Sequence, residues 1–310
     1  MTIELRAASH PSVLEPRISV GICTFQRISV SDTLRSISQL DEGLVPVEIL
    51  IADNDKTEKA RRRIETAGHH FKLPVHYIHA PAGNISVARN ACLDACQTRW
   101  LAFIDDDETA RPDWLIRLAE FRSGCHAIIG RSQAIYSPEL PDWVAVCDFH
   151  SNRIEGNPAN GYTSNALIDA EFVKSIGLRF DLGLGVTGGE DTMFFRQLEK
   201  AGGRIVYQPK SVVDEPVPPH RATMRWVLRR SFRSGQTHTK VTQQIGHERL
   251  GLVACSAILK SLMCFLVSAI GFIRPDLGRK WLQRAFLHAG VVWQALGLVS
   301  VSEYRNPATN

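Results

Sequence analysis

The sequence predicts an α/β protein: a mostly parallel sheet flanked by helices, with a helical appendage at the C-terminal end. Three observations carry that expectation. Short apolar runs alternate with stretches of helical periodicity as far as Phe121, the alternation that makes parallel strands with crossover helices. Two of those runs stop abruptly at carboxylates, in Ala52-Asp53-Asn54-Asp55 and in Phe103-Ile104-Asp105-Asp106-Asp107-Glu108. Beyond Pro216 the chain turns basic and then apolar, with a mainly helical pattern.

Residues 1–16 are polar, contain Pro11 and Pro16, and read as a loose tail. Ile18 to Cys23 is a short buried strand, and Ser29 to Leu40 a helix with Val30, Leu34, Ile37 and Leu40 at helical spacing. Val47 to Ala52 is the second strand; Lys56 to Ala67 is a charged helix stopped by Gly68. Val75 to His79 and Trp100 to Ile104 are strands on either side of a helix from Ser86 to Cys96. Pro112, suited to a first helical position, opens a helix through Phe121. Ala127 to Ile135 is a further strand, and residues 137–163, rich in Pro and Gly, read as loops. Asn165 to Ile168 is a strand and Glu171 to Ile176 a helix. Glycines at 183, 185, 188 and 189 form a turn before Glu190-Asp191. The helix Asp191 to Ala201 then carries its acids in the first turn, where the helix dipole favours them, and ends at Gly202-Gly203. Arg204 to Tyr207 and Ser211 to Val213 are the last strands. The expected domains are therefore the tail 1–16, the α/β domain 17–220, and a basic then apolar helical region 221–310.

The 310 residues are 44% hydrophobic and 22% charged, an ordinary globular balance, and a net charge of +4 gives no case for a nucleic-acid partner. Seven cysteines with no Cys-x-x-Cys pattern argue against a disulfide framework and for a reducing cytoplasm. The N-terminus lacks the apolar core of a secretory signal. Leu252 to Ile273 is long enough to cross a bilayer but contains Lys260, which costs about 2.5–3.5 kcal/mol on insertion scales and disfavours a span. It and the apolar stretch Ala285 to Val301 are either core helices or helices lying on a membrane surface. Arg221 to Lys240 holds six bases and no acid, so it is either a solvated face or a surface for diphosphate or anionic headgroups.

Ligands of parallel α/β sheets bind at the carboxyl ends of the strands, which puts Thr24, Asp53 and Asp105 to Asp107 along one edge. Carboxylates are hard ligands suited to Mg²⁺ or Mn²⁺, and such ions are often shared with substrate phosphates. Asp107 is the best candidate ligand, with Asp105 assisting it or reaching a ribose. Asp191 is the candidate general base, and its neighbour Glu190 a candidate acceptor contact. The pattern points to metal-assisted group transfer from a diphosphate donor such as a nucleotide sugar.

Val20 to Arg27, Asp53-Asn54, Asn84 to Asn90, Phe103 to Glu108 with Trp114-Leu115, and Gly188 to Asp191 together resemble the family 2 inverting glycosyltransferases of GT-A fold, over about residues 17–235. Thr163-Ser164-Asn165 and Val217 to Arg221, with Trp226 and Arg229-Arg230, are similar to the bacterial exopolysaccharide transferases of that family. The resemblance implies a Rossmann-like sheet. It implies that Thr24, Phe25, Arg27, Asp53, Arg89, Asp105 and Asp106 bind the donor, Asp107 and Asp105 a Mn²⁺ or Mg²⁺ ion, and Glu190, Arg221 and Trp226 the acceptor, with Asp191 as base. It also implies UDP-glucose as donor and a lipid-linked oligosaccharide as acceptor; the basic and apolar C-terminal part would hold the chain at the cytoplasmic face of the cell membrane. One departure stands out: some relatives carry a His after the last strand, where Asp214-Glu215-Pro216 stands here, and His220 is a weak substitute. A nucleotidyltransferase would show a glycine-rich loop after the first strand, and residues 23–30 contain no glycine. A non-catalytic nucleotide-sugar or lipid-binding module of the same fold is the remaining alternative, against which the retained Asp107 and Asp191 argue.

Overall fold

A computed structural model describes residues 17–69, 71–246 and 250–298. The strands β1 (Ile18–Thr24), β2 (Glu48–Asp53), β3 (Val75–His79) and β4 (Trp100–Asp105) are linked by α1 (Val30–Ile37), α2 (Arg61–Gly68) and α3 (Ile85–Ala95). All of these neighbours pair in parallel, β3 on β2, β2 on β1 and β1 on β4. The chain continues through β5 (Thr109–Ala110), α4 (Trp114–Ala119), β6 (Ala127–Ile135), α5 (Asp142–Cys147), β7 (Asn165–Asp169), α6 (Ala170–Ser175), α7 (Glu190–Lys200) and β8 (Ile205–Pro216). The sheet has eight strands in the order β3-β2-β1-β4-β7-β6-β8-β5. Its first half is wholly parallel. In the second half β7 runs antiparallel to β4 and β6, β5 antiparallel to β8, and β8 parallel to β6.

Two readings of the sequence need correction. The segment 137–163, expected as loops, contains α5, a helix of one and a half turns whose Val144 and Cys147 are buried. The two short strands expected at 204–207 and 211–213 are one strand, β8, whose pairing with β6 shifts register between Ile129 and Arg131. Such an irregularity keeps a long strand paired while its local periodicity breaks. The tail 1–16 and the last residues of the second apolar stretch lie outside the described residues.

The parallel strands are buried on both faces, which is why each reads as an unbroken apolar run. Val20, Ile22, Ile49, Ile51, Ala102 and Ile104 pack with Leu34, Ile64 and Trp114 on one side. Leu50, Leu101 and Phe103 pack with Cys92, Phe180, Phe194 and Phe195 on the other. Gly21 makes this second layer possible, since a Cβ there would lie 2.9 Å from the Phe103 ring.

The C-terminal part is α8 (Met224–Ile245), α9 (Leu250–Ser268) and α10 (Pro275–Ala295), with α10 packed between the other two. Thr223 caps α8 by accepting a hydrogen bond from the Trp226 N–H at 3.3 Å. Small residues make the closest approaches. A Cβ on Gly235 would run into the Leu287 carbonyl, one on Gly290 into the Phe232 carbonyl, and one on Gly278 into Gly271.

Candidate active site

Residues at the ends of β1, β4 and β8 and on α3 and α7 converge on one cavity. Just after β1, Gln26 adopts a left-handed φ of 57°, costly for a residue with a Cβ. The turn it makes returns Arg27 to the acids after β4: Arg27 is ion-paired to Asp107, and its Nε lies 3.5 Å from Asp106. Thr24 Oγ1 donates to Asp106 at 2.7 Å. Asp53, at the end of β2, is fully buried and accepts from the Tyr77 hydroxyl at 2.8 Å and the Asp55 N–H at 3.1 Å. Burial lifts the Asp105 carboxyl to about 7, with repulsion from Asp107, Asp191 and Asp106 adding to it and Arg89 opposing. Burial lifts Asp106 to about 6 against the pull of Arg27 and Thr24.

The second wall comes from α3 and α7. Asn84 caps α3 by accepting from the Ser86 N–H at 3.0 Å, which fixes the first turn and therefore Arg89. Arg89 is buried, and its Nη1 donates to Glu190 Oε1 at 2.6 Å and Asp191 Oδ1 at 2.5 Å. Gly188 and Gly189, with φ of 88° and 99°, take the left-handed conformation that delivers both acids into the first turn of α7. The buried Thr163 hydroxyl also donates to Asp191 Oδ1, at 2.8 Å. Both donors thus sit on Oδ1. Burial, then repulsion from Asp191, raises Glu190 to about 7 against the attraction of Arg89. Its Oε2 is buried without a hydrogen-bond partner.

A cavity of about 930 Å³ opens between these walls, lined among others by Arg27, Arg89, Asp105, Asp107, Glu190 and Asp191. Arg221 and Trp226 close one side. Trp226 stacks on His150 with centroids 5.2 Å apart, and Arg230 lies over its ring at 5.3 Å. Thr24, Phe25, Asp53 and Asp106 do not line this cavity: three are buried in the bonds just described, and Phe25 is largely exposed. His220 is exposed and also outside the lining.

Sequence reasoning missed Glu215. It lines the cavity, and Arg221 Nη1 lies 3.0 Å from its Oε1 and 4.0 Å from Asp107 Oδ2. Burial and then the Asp107 charge raise its carboxyl above the usual range. The signal was present in Asp214-Glu215-Pro216, read there as the loss of a His and not as the gain of a carboxylate.

Asp105 and Asp107 offer hard oxygen donors, but among the described residues no group of three or more His, Cys, Asp or Glu side chains is placed to hold a metal. This fits Mg²⁺ or Mn²⁺ carried by one or two carboxylates together with substrate phosphates. Arg27 and Arg221 beside Asp107 add the cations a diphosphate needs.

Residues 19–170 match the family model described as Glycosyl transferase family 2. The chain is 39% identical over 297 residues to the succinoglycan biosynthesis protein ExoM of Rhizobium meliloti, covering 93% of this chain and 95% of that one. It is 26% identical over 246 residues to the glucosyl-dolichyl phosphate glucuronosyltransferase of Haloferax volcanii, covering 71% and 75%. Among solved structures, the mannosyltransferase PcManGT of Pyrobaculum calidifontis in complex with GDP-Man and Mn²⁺ has a TM-score of 0.62 at 17% identity, covering 91% of this chain and 88% of that one.

Proposed function

The chain belongs to glycosyl transferase family 2, and on that premise we propose that it moves a hexose from UDP-glucose, with inversion, to a lipid-linked saccharide in exopolysaccharide biosynthesis. The observation that carries this reading is the meeting of Asp107 and Asp191 on the walls of one cavity that also holds Arg27, Arg89 and Arg221. The kinship with a succinoglycan biosynthesis protein supports the pathway, and the kinship with an enzyme of glucosyl-dolichyl phosphate supports an acceptor carried on a lipid phosphate.

In this mechanism Arg27 and Arg221 bind the donor diphosphate, and Asp107 with Asp105 would hold the divalent ion. When bound, that ion would act as a Lewis acid for the departing diphosphate. Asp191 Oδ2 takes the proton of the acceptor hydroxyl as its oxygen bonds to the anomeric carbon. The anomeric C–O bond breaks and its electron pair leaves on the diphosphate. Arg89 and Thr163, both on Oδ1, hold the carboxylate in aim. A base on the face opposite the leaving group gives inversion.

The apolar helix supports peripheral contact with the cytoplasmic face of the membrane. Gly251–Phe272 has a mean hydropathy of 2.1, yet only 17% of it is buried. Leu259, Leu262 and Leu266 are 71%, 58% and 77% exposed, a contiguous apolar stripe of the kind that marks an interaction surface.

The test is UDP release from a panel of UDP-sugars, with and without Mn²⁺, by wild type, Asp107→Asn and Asp191→Asn. The expected result is release from UDP-glucose that needs the metal and both aspartates. Metal-dependent UDP binding with no turnover, even with a lipid-linked saccharide present, would point to a binding module instead.

A further inference from the structure

The catalytic cavity does not end at the acids. Past Arg230 and Arg233 of α8 its wall passes to α9 and α10, where Val253, Ser256, Lys260 and His288 line it. The sequence of α9 divides into three stripes. Ala257, Ser261 and Cys264 are buried; Ala257 lines the cavity, and Ser261 Oγ donates to the Ala285 carbonyl of α10 at 3.1 Å. Leu259, Leu262 and Leu266 face outward. Val253, Ser256 and Lys260, at helical spacing, face the cavity. The one charge in this apolar helix therefore lines the same cavity as the acids.

We propose that Lys260 and His288 bind the phosphate of a lipid-linked acceptor at the far end of this cavity, with its hydrocarbon chain leaving over the apolar face of α9. The proposal rests on the transferase reading and adds where the acceptor's phosphate sits. A water-soluble saccharide would need neither the cations nor the apolar exit, and the donor diphosphate already has Arg27 and Arg221. An amphipathic ligand with its sugar at Asp191 uses the whole length. Lys260 has no ion pair among the described residues. The protein supplies little to neutralise this end: from 221 to 298 the only acids in the sequence are Glu248 and Asp276, and Asp276 is bound to Arg279 at 2.9 Å. Burial, with Lys260 and Arg284 nearby, holds His288 below its ordinary protonation range, a bias that an arriving phosphate would reverse.

The test uses the full chain in detergent and measures binding of farnesyl diphosphate, farnesol, inorganic pyrophosphate and phosphatidylglycerol vesicles, with UDP plus Mn²⁺ bound in parallel. Farnesyl diphosphate should bind at least about tenfold tighter than farnesol or pyrophosphate. Lys260→Gln, a change at an exposed side chain, and Lys260→Gln with His288→Gln should weaken it about tenfold or more, while UDP binding persists and exposed Lys200→Gln has no effect. Equal binding of farnesol, no loss in either variant, or equal competition by the vesicles would overturn the site, the last making it a headgroup contact. Failure of wild type to bind UDP would instead sink the transferase reading beneath it.

Discussion

The sheet domain and the helical appendage spend the same kinds of apolar residue in opposite ways. In the sheet domain the largest side chains are inside: Phe180 and Phe194 stack at 4.1 Å, Phe195 meets Phe194 edge-on, and all three are buried. In the appendage glycines make the closest helix contacts and the buried side chains are small, such as Ala257, Ala285, Val241 and Val291, while Phe272 and Ile273 are 96% and 82% exposed. Water drives the first arrangement. The second relies on close approach of small residues and a hydroxyl-to-carbonyl bond. The acids of the candidate site therefore sit on the sheet domain, and the appendage keeps an exposed apolar face.

The sharpest way to break that division is to change the proposed base. Asp191→Asn should lower kcat by about 10²–10⁴-fold and leave flotation with anionic vesicles unchanged. Loss of flotation would show that the two regions are not separate in function. The next contrast is in packing. Phe194→Ala should cost about 3–5 kcal/mol in urea unfolding, whereas Leu266→Ala, at a side chain 77% exposed, should stay within about 0.5 kcal/mol. Leu259→Ser with Leu266→Ser should weaken flotation severalfold. A large stability loss at Leu266 would mean that its stripe is a core surface.

The sheet was legible because its signals are local. Runs such as Ile49-Leu50-Ile51 have one use in a soluble domain, and the positive-φ glycines before Glu190 announce the turn that delivers it. The acids of the site were legible because they end strands. What sequence could not show was partnership across long separations. Arg89 binds Glu190 and Asp191 from a hundred residues away, so its pairing with both acids had no local trace. Glu215 was hidden for the same reason, since its value comes from lying beside Asp107 and Arg221. The stripe division of α9 needed its neighbour, because hydropathy alone cannot say which side of Lys260 faces α10.

Glu190 gives the next effect down. Its carboxyl ordinarily titrates near 4.5 and in the fold at about 7. Between those values the unfolded chain has lost the proton that the folded chain keeps. The native state binds more protons there, so this group's contribution to stability falls as pH rises through the window. Relative to Glu190→Gln, the wild type should lose on the order of 2 kcal/mol between about pH 4.5 and 7, each pKa unit being worth about 1.4 kcal/mol. Urea unfolding of both proteins across that range measures it. A difference that does not change with pH would mean that Arg89 keeps Glu190 ionised throughout.

The smallest effect compares how the two regions use a buried polar side chain. Asn165 sits where β7, β6, β8 and α4 meet: its Oδ1 accepts from the Trp114 indole at 2.9 Å, and its Nδ2 donates to the Arg131 and Ser211 carbonyls at 3.0 and 3.1 Å. Gly130 leaves room for that amide. Asn165→Ala removes the partner of a buried indole N–H and should cost about 1–3 kcal/mol. Ser261 in the hairpin also bonds to a backbone carbonyl, that of Ala285, but this oxygen belongs to a helix that supplies its own donors. Ser261→Ala should therefore cost less, about 0.6 kcal/mol, the average for interhelical hydrogen bonds in a bilayer. Equal losses for the two variants, measured by urea unfolding in the same detergent, would mean that the hairpin is held together by the same fully satisfied polar network as the sheet, and that its small-residue contacts are incidental.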